Sequence, residues 1–117
     1  MKSSAHVLIL LLAHLTGAPA VAAWSWTPEA GRIAHYYISP YSQSESHPYL
    51  VLYLDQSFHS CGEGAAANID SALVGNESFK IIVSSALAAL AADKSVAFLM
   101  DGCDGARARV YGIKIAK

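Results

Sequence analysis

Three histidines, His35, His47 and His59, are spaced at equal intervals of twelve residues, and imidazole is a common protein ligand of metal ions. A three-histidine metal centre requires these side chains to converge on one point. Each histidine belongs to a different kind of segment, namely a strand, a polar loop and a turn. The pattern therefore predicts no metal centre and no cofactor.

Carboxylates lie close in sequence to both cysteines, which would suit a calcium site if the cysteines are bonded to each other. These carboxylates are Glu63, Asp70, Asp101 and Asp104. Their spacing matches no EF-hand loop, and an aspartate in an Asp-Gly pair more often caps a turn. Turn capping is the favoured interpretation, with a calcium site as the alternative.

No segment carries a recognisable catalytic motif. His59 stands two positions from Cys61, but an oxidised cysteine cannot act as a nucleophile. No serine lies in a G-x-S-x-G elbow. The sequence therefore favours a non-catalytic binding or interaction module and predicts no catalytic residue. A periplasmic enzyme inhibitor or small hydrolase is the alternative.

The first 23 residues have the pattern of a secretory signal peptide. Lys2 precedes the apolar run from Val7 to Ala13, and small residues follow up to Ala23. The run is shorter than the roughly 20 residues that span a bilayer. We predict cleavage before Trp24, a single secreted or periplasmic domain over 24–117, and no transmembrane anchor after cleavage. An uncleaved membrane anchor is the competing interpretation.

The predicted domain contains two cysteines, Cys61 and Cys103, and an oxidising compartment favours a disulfide between them. Seven basic and nine acidic residues follow Ala23, which gives a net charge of −2. Nucleic-acid binding requires a basic surface, so this charge balance argues against a nucleic-acid partner.

Runs of aromatic and β-branched residues predict the strands. They are Arg32–Ile38, Tyr49–Asp55, a short strand within 65–73, Ser95–Met100 and Arg107–Lys117. The first two form an antiparallel hairpin with a long polar tip. The last two form a closing hairpin with Cys103 in its turn, and alternation places Val110 and Ile113 on opposite faces.

One long helix is predicted from Glu77 to Asp93, with Asn76 as its N-cap. Its core stripe recurs at helical spacing and consists of Phe79, Ile82, Val83, Ala86, Leu87 and Leu90. The opposite face is small and nearly uncharged, and it consists of Ser84, Ser85, Ala88, Ala91 and Ala92. Such a face suits an interface with a loop or a neighbouring subunit in a homo-oligomer, although helix propensity alone could select alanine.

Together these elements predict an α+β domain of order β-β-(β)-α-β-β. A small antiparallel sheet, which could curl into an OB-like barrel, packs on the helix, and one disulfide closes the domain. A glycan or a protein is the expected ligand. Exposed aromatic residues could stack on sugar rings, and the candidates are Trp26, Tyr36 and Tyr41.

Two stretches, 88–96 and Asp101-Gly102-Cys103, resemble small uncharacterised secreted proteins of Gram-negative bacteria. Those proteins carry a tryptophan near the mature N-terminus, a Cys-Gly at mid-chain and a Gly-Cys before the last strand. This chain has Trp24, Cys61-Gly62 and Gly102-Cys103 in the same order.

The strand, helix and strand layout is also distantly similar to the B subunits of pertussis-like and subtilase-type AB5 toxins. That resemblance implies an OB-like barrel, a pentameric ring with the helices at its centre, and binding of sialylated glycans. It identifies no glycan site here, because no serine or tyrosine of this chain matches a sugar-binding position.

Overall fold

The structure, a computed structural model, describes residues 24–39 and 47–116. The predicted signal peptide and Tyr41 lie outside these residues. The strands are β1 (Ser25–Trp26), β2 (Gly31–Ser39), β3 (Tyr49–Leu54), β4 (Ala66–Asp70), β5 (Ser95–Asp104) and β6 (Arg107–Ile115). The helices are α1 (Ser71–Val74) and α2 (Asn76–Ala91). The predicted α+β class is confirmed.

The strands form one mixed sheet. β3 pairs antiparallel with both β2 and β4, and β5 pairs antiparallel with β1, β2 and β6. β4 and β6 pair in parallel, so the prediction of an antiparallel sheet is wrong for this pair. The reason is the connection: two helices and β5 separate β4 from β6, and this crossover returns the chain in the same direction. Both predicted hairpins are present.

The disulfide joins Cys61 to Cys103, as predicted, with the two Cα atoms 5.6 Å apart. Cys103 lies within β5 and not in the hairpin turn, which is formed by Gly105 and Ala106. The bond therefore fixes the loop before β4 to the far end of β5.

The helical region contains two helices, so a single long helix is not confirmed. Gly75 has φ +88°, a left-handed value that glycine tolerates, and it separates α1 from α2. Asn76 is consequently the first residue of α2 and not its cap. Asp70 caps α1 by accepting a hydrogen bond from the Ala72 amide at 2.9 Å, so the predicted strand within 65–73 ends there. Neither helix of the described chain is long and apolar enough to cross a membrane.

The hydrophobic core lies between α2 and one face of the sheet. α2 buries Phe79, Ile82, Ala86 and Ala89, while Leu87, which was predicted to face the core, is exposed. The main sheet residues of the core are Ile33, Leu50, Leu52, Leu54, Ala67, Ile69, Val96, Phe98, Ala108 and Val110. The predicted stripe is therefore correct for Phe79, Ile82 and Ala86. It is wrong for Leu87, because the buried side of the helix includes Ala89 instead.

Two β-bulges change which residues face the core. In β6, Gly112 pairs with Leu99 and Val110 with Met100, so Tyr111 is the extra residue. Val110 and Ile113 consequently both contact the core, and the predicted alternation of β6 is wrong. In β2 the register shifts between Ile33 and His35, and the residues after the shift form the surface described next.

Candidate binding face

Aromatic side chains gather on the sheet face that points away from the core. β2 contributes His35 and Tyr37, and β3 contributes Tyr49 and Tyr53, at positions that alternate with the core residues Leu50 and Leu52. The pairing places His35 opposite Tyr53. We call His35, Tyr37, Tyr49, Tyr53 and Arg107 the aromatic face.

The four rings are in mutual contact. The His35 and Tyr53 rings are stacked, with centroids 4.5 Å apart and planes inclined by 13°. The Tyr37 ring lies 6.3 Å from both Tyr53 and Tyr49, edge-on to the latter. These separations fall within the favourable range for aromatic pairs. The aromatic face is therefore one continuous cluster.

Arg107 reaches this cluster from a more distant strand of the same sheet. Its strand, β6, is separated from the Tyr37 strand by β4 and β3, and adjacent strands lie about 4.8 Å apart. The guanidinium carbon of Arg107 nevertheless lies 6.0 Å from the Tyr37 ring centroid. The Arg107 side chain must therefore extend across the sheet surface toward Tyr37.

The surface that Arg107 crosses is buried even though it is not part of the core. Val51 pairs with Tyr37 on one side and Asn68 on the other, so these three residues form a row across the sheet. Val51 and Ala66 are fully buried, and Asn68 is 6% exposed. We call Val51, Ala66 and Asn68 the floor of the aromatic face. The strands that carry the tyrosines and Arg107 lie on either side of this floor.

The charges at the face are mutually compensated. The Tyr53 hydroxyl donates a hydrogen bond to Glu63 Oε2 at 3.4 Å. Burial lowers the pKa of Arg107, but Tyr37, Tyr53 and Glu63 outweigh burial and raise that pKa above its ordinary value. Burial raises the pKa of Tyr37, and Arg107 only partly opposes the effect. At neutral pH the face thus holds a charged guanidinium beside neutral phenols.

This arrangement predicts a pH dependence of stability. The pKa of Tyr37 is raised in the folded state, so folding disfavours its phenolate. The contribution of Tyr37 is fully present below about pH 10, its pKa in the unfolded chain, and is lost as the pH rises through the higher folded value. Absorbance at 295 nm should therefore lose a component that titrates above pH 10 when Tyr37 is replaced by Phe. When the wild-type protein is unfolded in denaturant, the absorbance change that belongs to Tyr37 should have its midpoint near about pH 10.

Polar contacts secure the β6 side of the face to the disulfide region. Asn68 Nδ2 donates to Asp104 Oδ2 at 2.6 Å, and Arg109 Nη2 donates to the Cys103 carbonyl at 2.8 Å. Two other polar atoms, Asn68 Oδ1 and Arg107 Nε, are buried and have no hydrogen-bond partner in the described chain. Buried groups of this kind are rare in folded proteins, and each is able to bond to a water or a ligand group.

Comparison with known proteins adds no residue roles to this description. No protein-family model, curated protein or solved structure matches the chain. Its function must therefore be inferred from the geometry of its own residues.

The three evenly spaced histidines lie in separate surroundings. His35 stacks on Tyr53, and His47 Nε2 lies 2.8 Å from Asp70 Oδ1. His59 Nε2 lies 2.7 Å from the Ala66 carbonyl, while its Nδ1 accepts a hydrogen bond from the Cys61 amide. Within residues 24–39 and 47–116, no group of three or more His, Cys, Asp or Glu side chains could hold a metal ion. The four carboxylates near the cysteines therefore form no such cluster.

The structure separates the residues that the sequence predicted to bind a ligand. Trp26 lies at a shallow groove of about 240 Å³ between α2 and β6, which is lined by Trp26, Ser78, Ile81, Ile82, Ser85, Tyr111, Gly112 and Ile113. A Cβ atom at Gly112 would lie 3.4 Å from the Trp26 ring, which is ordinary contact, and 3.3 Å from the Leu99 Cβ, which is tighter. Lys114 Nζ lies 4.4 Å from the centroid of that ring. Tyr36 points to the side of β2 opposite Tyr37, and Tyr41 lies outside the described residues.

The small face of α2 remains largely uncovered. Ser84, Ala88, Ala91 and Ala92 are exposed, and Ser85 is half-buried at the groove. No described segment covers this face, so the loop interpretation has no support in residues 24–39 and 47–116. An interface with a second copy stays a prediction.

Proposed function

We propose that this chain is a secreted or periplasmic, non-catalytic binding module whose aromatic face binds carbohydrate. The observation that carries the proposal is the cluster of four rings with Arg107 and Glu63 on one open sheet surface. Aromatic rings offer flat apolar area to the C–H faces of sugar rings, while the polar groups beside them can bond to hydroxyls.

We further propose that the sheet forms an OB-like barrel. Support comes from the pairings β5 to β2, β2 to β3, β3 to β4, β4 to β6 and β6 to β5, which return to their starting strand. In such a barrel the two strands that carry Tyr49, Tyr53 and Asn68 occupy the positions of the second and third strands, whose outer face commonly binds oligosaccharides or oligonucleotides. The near-neutral charge of this chain favours the oligosaccharide.

The compartment and the assembly belong to the same proposal. A disulfide is compatible with an extracellular or periplasmic location. The uncovered small face of α2 supports a homo-oligomer, and the molecular mass of the folded protein in solution tests that part. A hydrolase has less support, because the described histidines occupy three separate places.

Neighbouring tyrosines provide a matched test of carbohydrate binding. Tyr36 and Tyr37 are each 38% exposed, but they point to opposite sides of β2. Tyr37→Ala is expected to weaken binding to glycans on an array by about tenfold, equivalent to about 1.4 kcal/mol, because a stacking ring is lost. Tyr36→Ala should leave binding unchanged.

If Tyr36→Ala alone weakens glycan binding, the ligand binds on the Tyr36 side of β2 and not on the aromatic face. No binding of any glycan by the folded wild-type protein would contradict carbohydrate binding altogether. Circular dichroism of both variants shows that a loss of binding does not reflect unfolding.

A further inference from the structure

We propose that the aromatic face selects uncharged polyhydroxylated ligands over acidic ones, with Arg107 and Asn68 as its specificity-determining residues. This inference rests on the proposed carbohydrate-binding function. It differs from the sialylated ligand that the resemblance to AB5 toxins implies.

The first support is the pair of unpartnered polar atoms. Arg107 Nε carries a hydrogen to donate, and Asn68 Oδ1 has lone pairs to accept. A hydroxyl group can both accept and donate, so sugar hydroxyls can satisfy both kinds of atom. A carboxylate can only accept, so it can bond to Arg107 Nε but not to Asn68 Oδ1, which would need a separate hydroxyl.

The second support is the charge around these atoms. Glu63 accepts from Tyr53, and its negative charge acts on Arg107. Asp104 lies 2.6 Å from the Asn68 amide nitrogen, while Arg109 is bonded to the Cys103 carbonyl. Two carboxylates thus balance two guanidinium groups, and no net positive charge remains to attract an acidic sugar. An entering carboxylate would therefore gain no net attraction to repay the loss of its hydration.

Access to the floor requires Arg107 to move. Asn68 Oδ1 and Arg107 Nε are both shielded from solvent, and the guanidinium carbon of Arg107 sits 6.0 Å from the Tyr37 ring, at the outer limit of a cation–π contact. The Arg107 side chain is long and its contact with Tyr37 is weak, so it can move. The floor residues lie in paired strands, so they stay in place. A ligand therefore reaches the floor by displacing the guanidinium and accepting a hydrogen bond from its Nε–H.

Paired glycans test this selectivity. Each pair consists of one oligosaccharide with and without a terminal carboxylated sugar, immobilised on the same array. We expect the wild-type protein to bind the neutral member at least about tenfold more strongly, equivalent to about 1.4 kcal/mol. Glu63→Gln should reduce this preference, because the charge of Arg107 is then uncompensated, whereas Glu63→Asp should retain it. Arg107→Met should weaken binding of the neutral member.

The outcomes distinguish failure of the selectivity from failure of carbohydrate binding itself. Equal binding of both members, or stronger binding of the acidic member, overturns the selectivity and leaves carbohydrate binding in place. An unchanged preference in Glu63→Gln overturns the charge argument. Absence of binding to every glycan overturns carbohydrate binding and the selectivity that rests on it. Thermal unfolding of each variant confirms that the comparison is made between folded proteins.

Discussion

Replacement of both Cys61 and Cys103 by serine is expected to lower the free energy of unfolding by about 4 kcal/mol. The bond closes a loop between residues 42 positions apart, and in the loop-entropy account its main effect is to restrict the unfolded chain. Domains of this size have a total stability of about 5–15 kcal/mol, so the double variant should be marginally folded. Urea unfolding of the oxidised wild type and the variant measures the difference.

Wild-type protein reduced by a thiol serves as the control, because it loses the same bond without a change of sequence. It should unfold at nearly the same urea concentration as the serine variant. A difference of less than about 1 kcal/mol between oxidised wild type and the variant would contradict the loop-entropy argument. The bond also lies beside the aromatic face, since Glu63 is two residues from Cys61 and Asp104 follows Cys103.

Phe98→Ala is expected to destabilise the domain by about 3–5 kcal/mol, because the lost ring leaves a cavity that a close-packed core cannot fill. Phe98 is 0% exposed, and its ring centroid lies 5.2 Å from that of Phe58. It belongs to β5, which pairs with three other strands, so the cavity would lie where those strands meet. The same urea experiment gives the change in the free energy of unfolding.

Ile81→Ala is the matched control for the loss of a large apolar side chain. Ile81 is 65% exposed on α2, and replacement at such a position should change stability by no more than about 0.5 kcal/mol. Equal losses in the two variants would contradict the assignment of Phe98 to the core, or would indicate that Ile81 is covered by a second copy.

Local patterns predicted most of the elements. β2 and β3 coincide closely with the predicted first and second strands, and α2 buries Phe79, Ile82 and Ala86 at the predicted helical spacing. These predictions succeed because the chemistry of a strand or a helix face repeats over a few neighbouring residues. The four-residue helix α1 was not predicted, because residues 65–73 were expected to form a short strand.

The aromatic face was not predicted, although its tyrosines lie in strands that were. Tyr37, Tyr49, Tyr53 and Arg107 all lie in predicted strands, but none of them was a predicted ligand-binding residue. One local signal was available: Tyr49 and Tyr53 share the same parity in a strand, which places them on one side. Tyr36 was a predicted ligand-binding residue and Tyr37 was not, because the sequence does not show how β2 is aligned with β3.

The sequence by itself determined the disulfide partners, since only two cysteines are present, and it determined the hairpins and the apolar stripe of the main helix. Tertiary structure alone decided the parallel pairing of β4 with β6 and the shifts at Tyr111 and in β2. It also brought Arg107 within reach of Tyr37, 70 positions earlier in the chain. The physical reason is that a strand's own pattern fixes which residues alternate, whereas its neighbours and bulges fix which side they occupy.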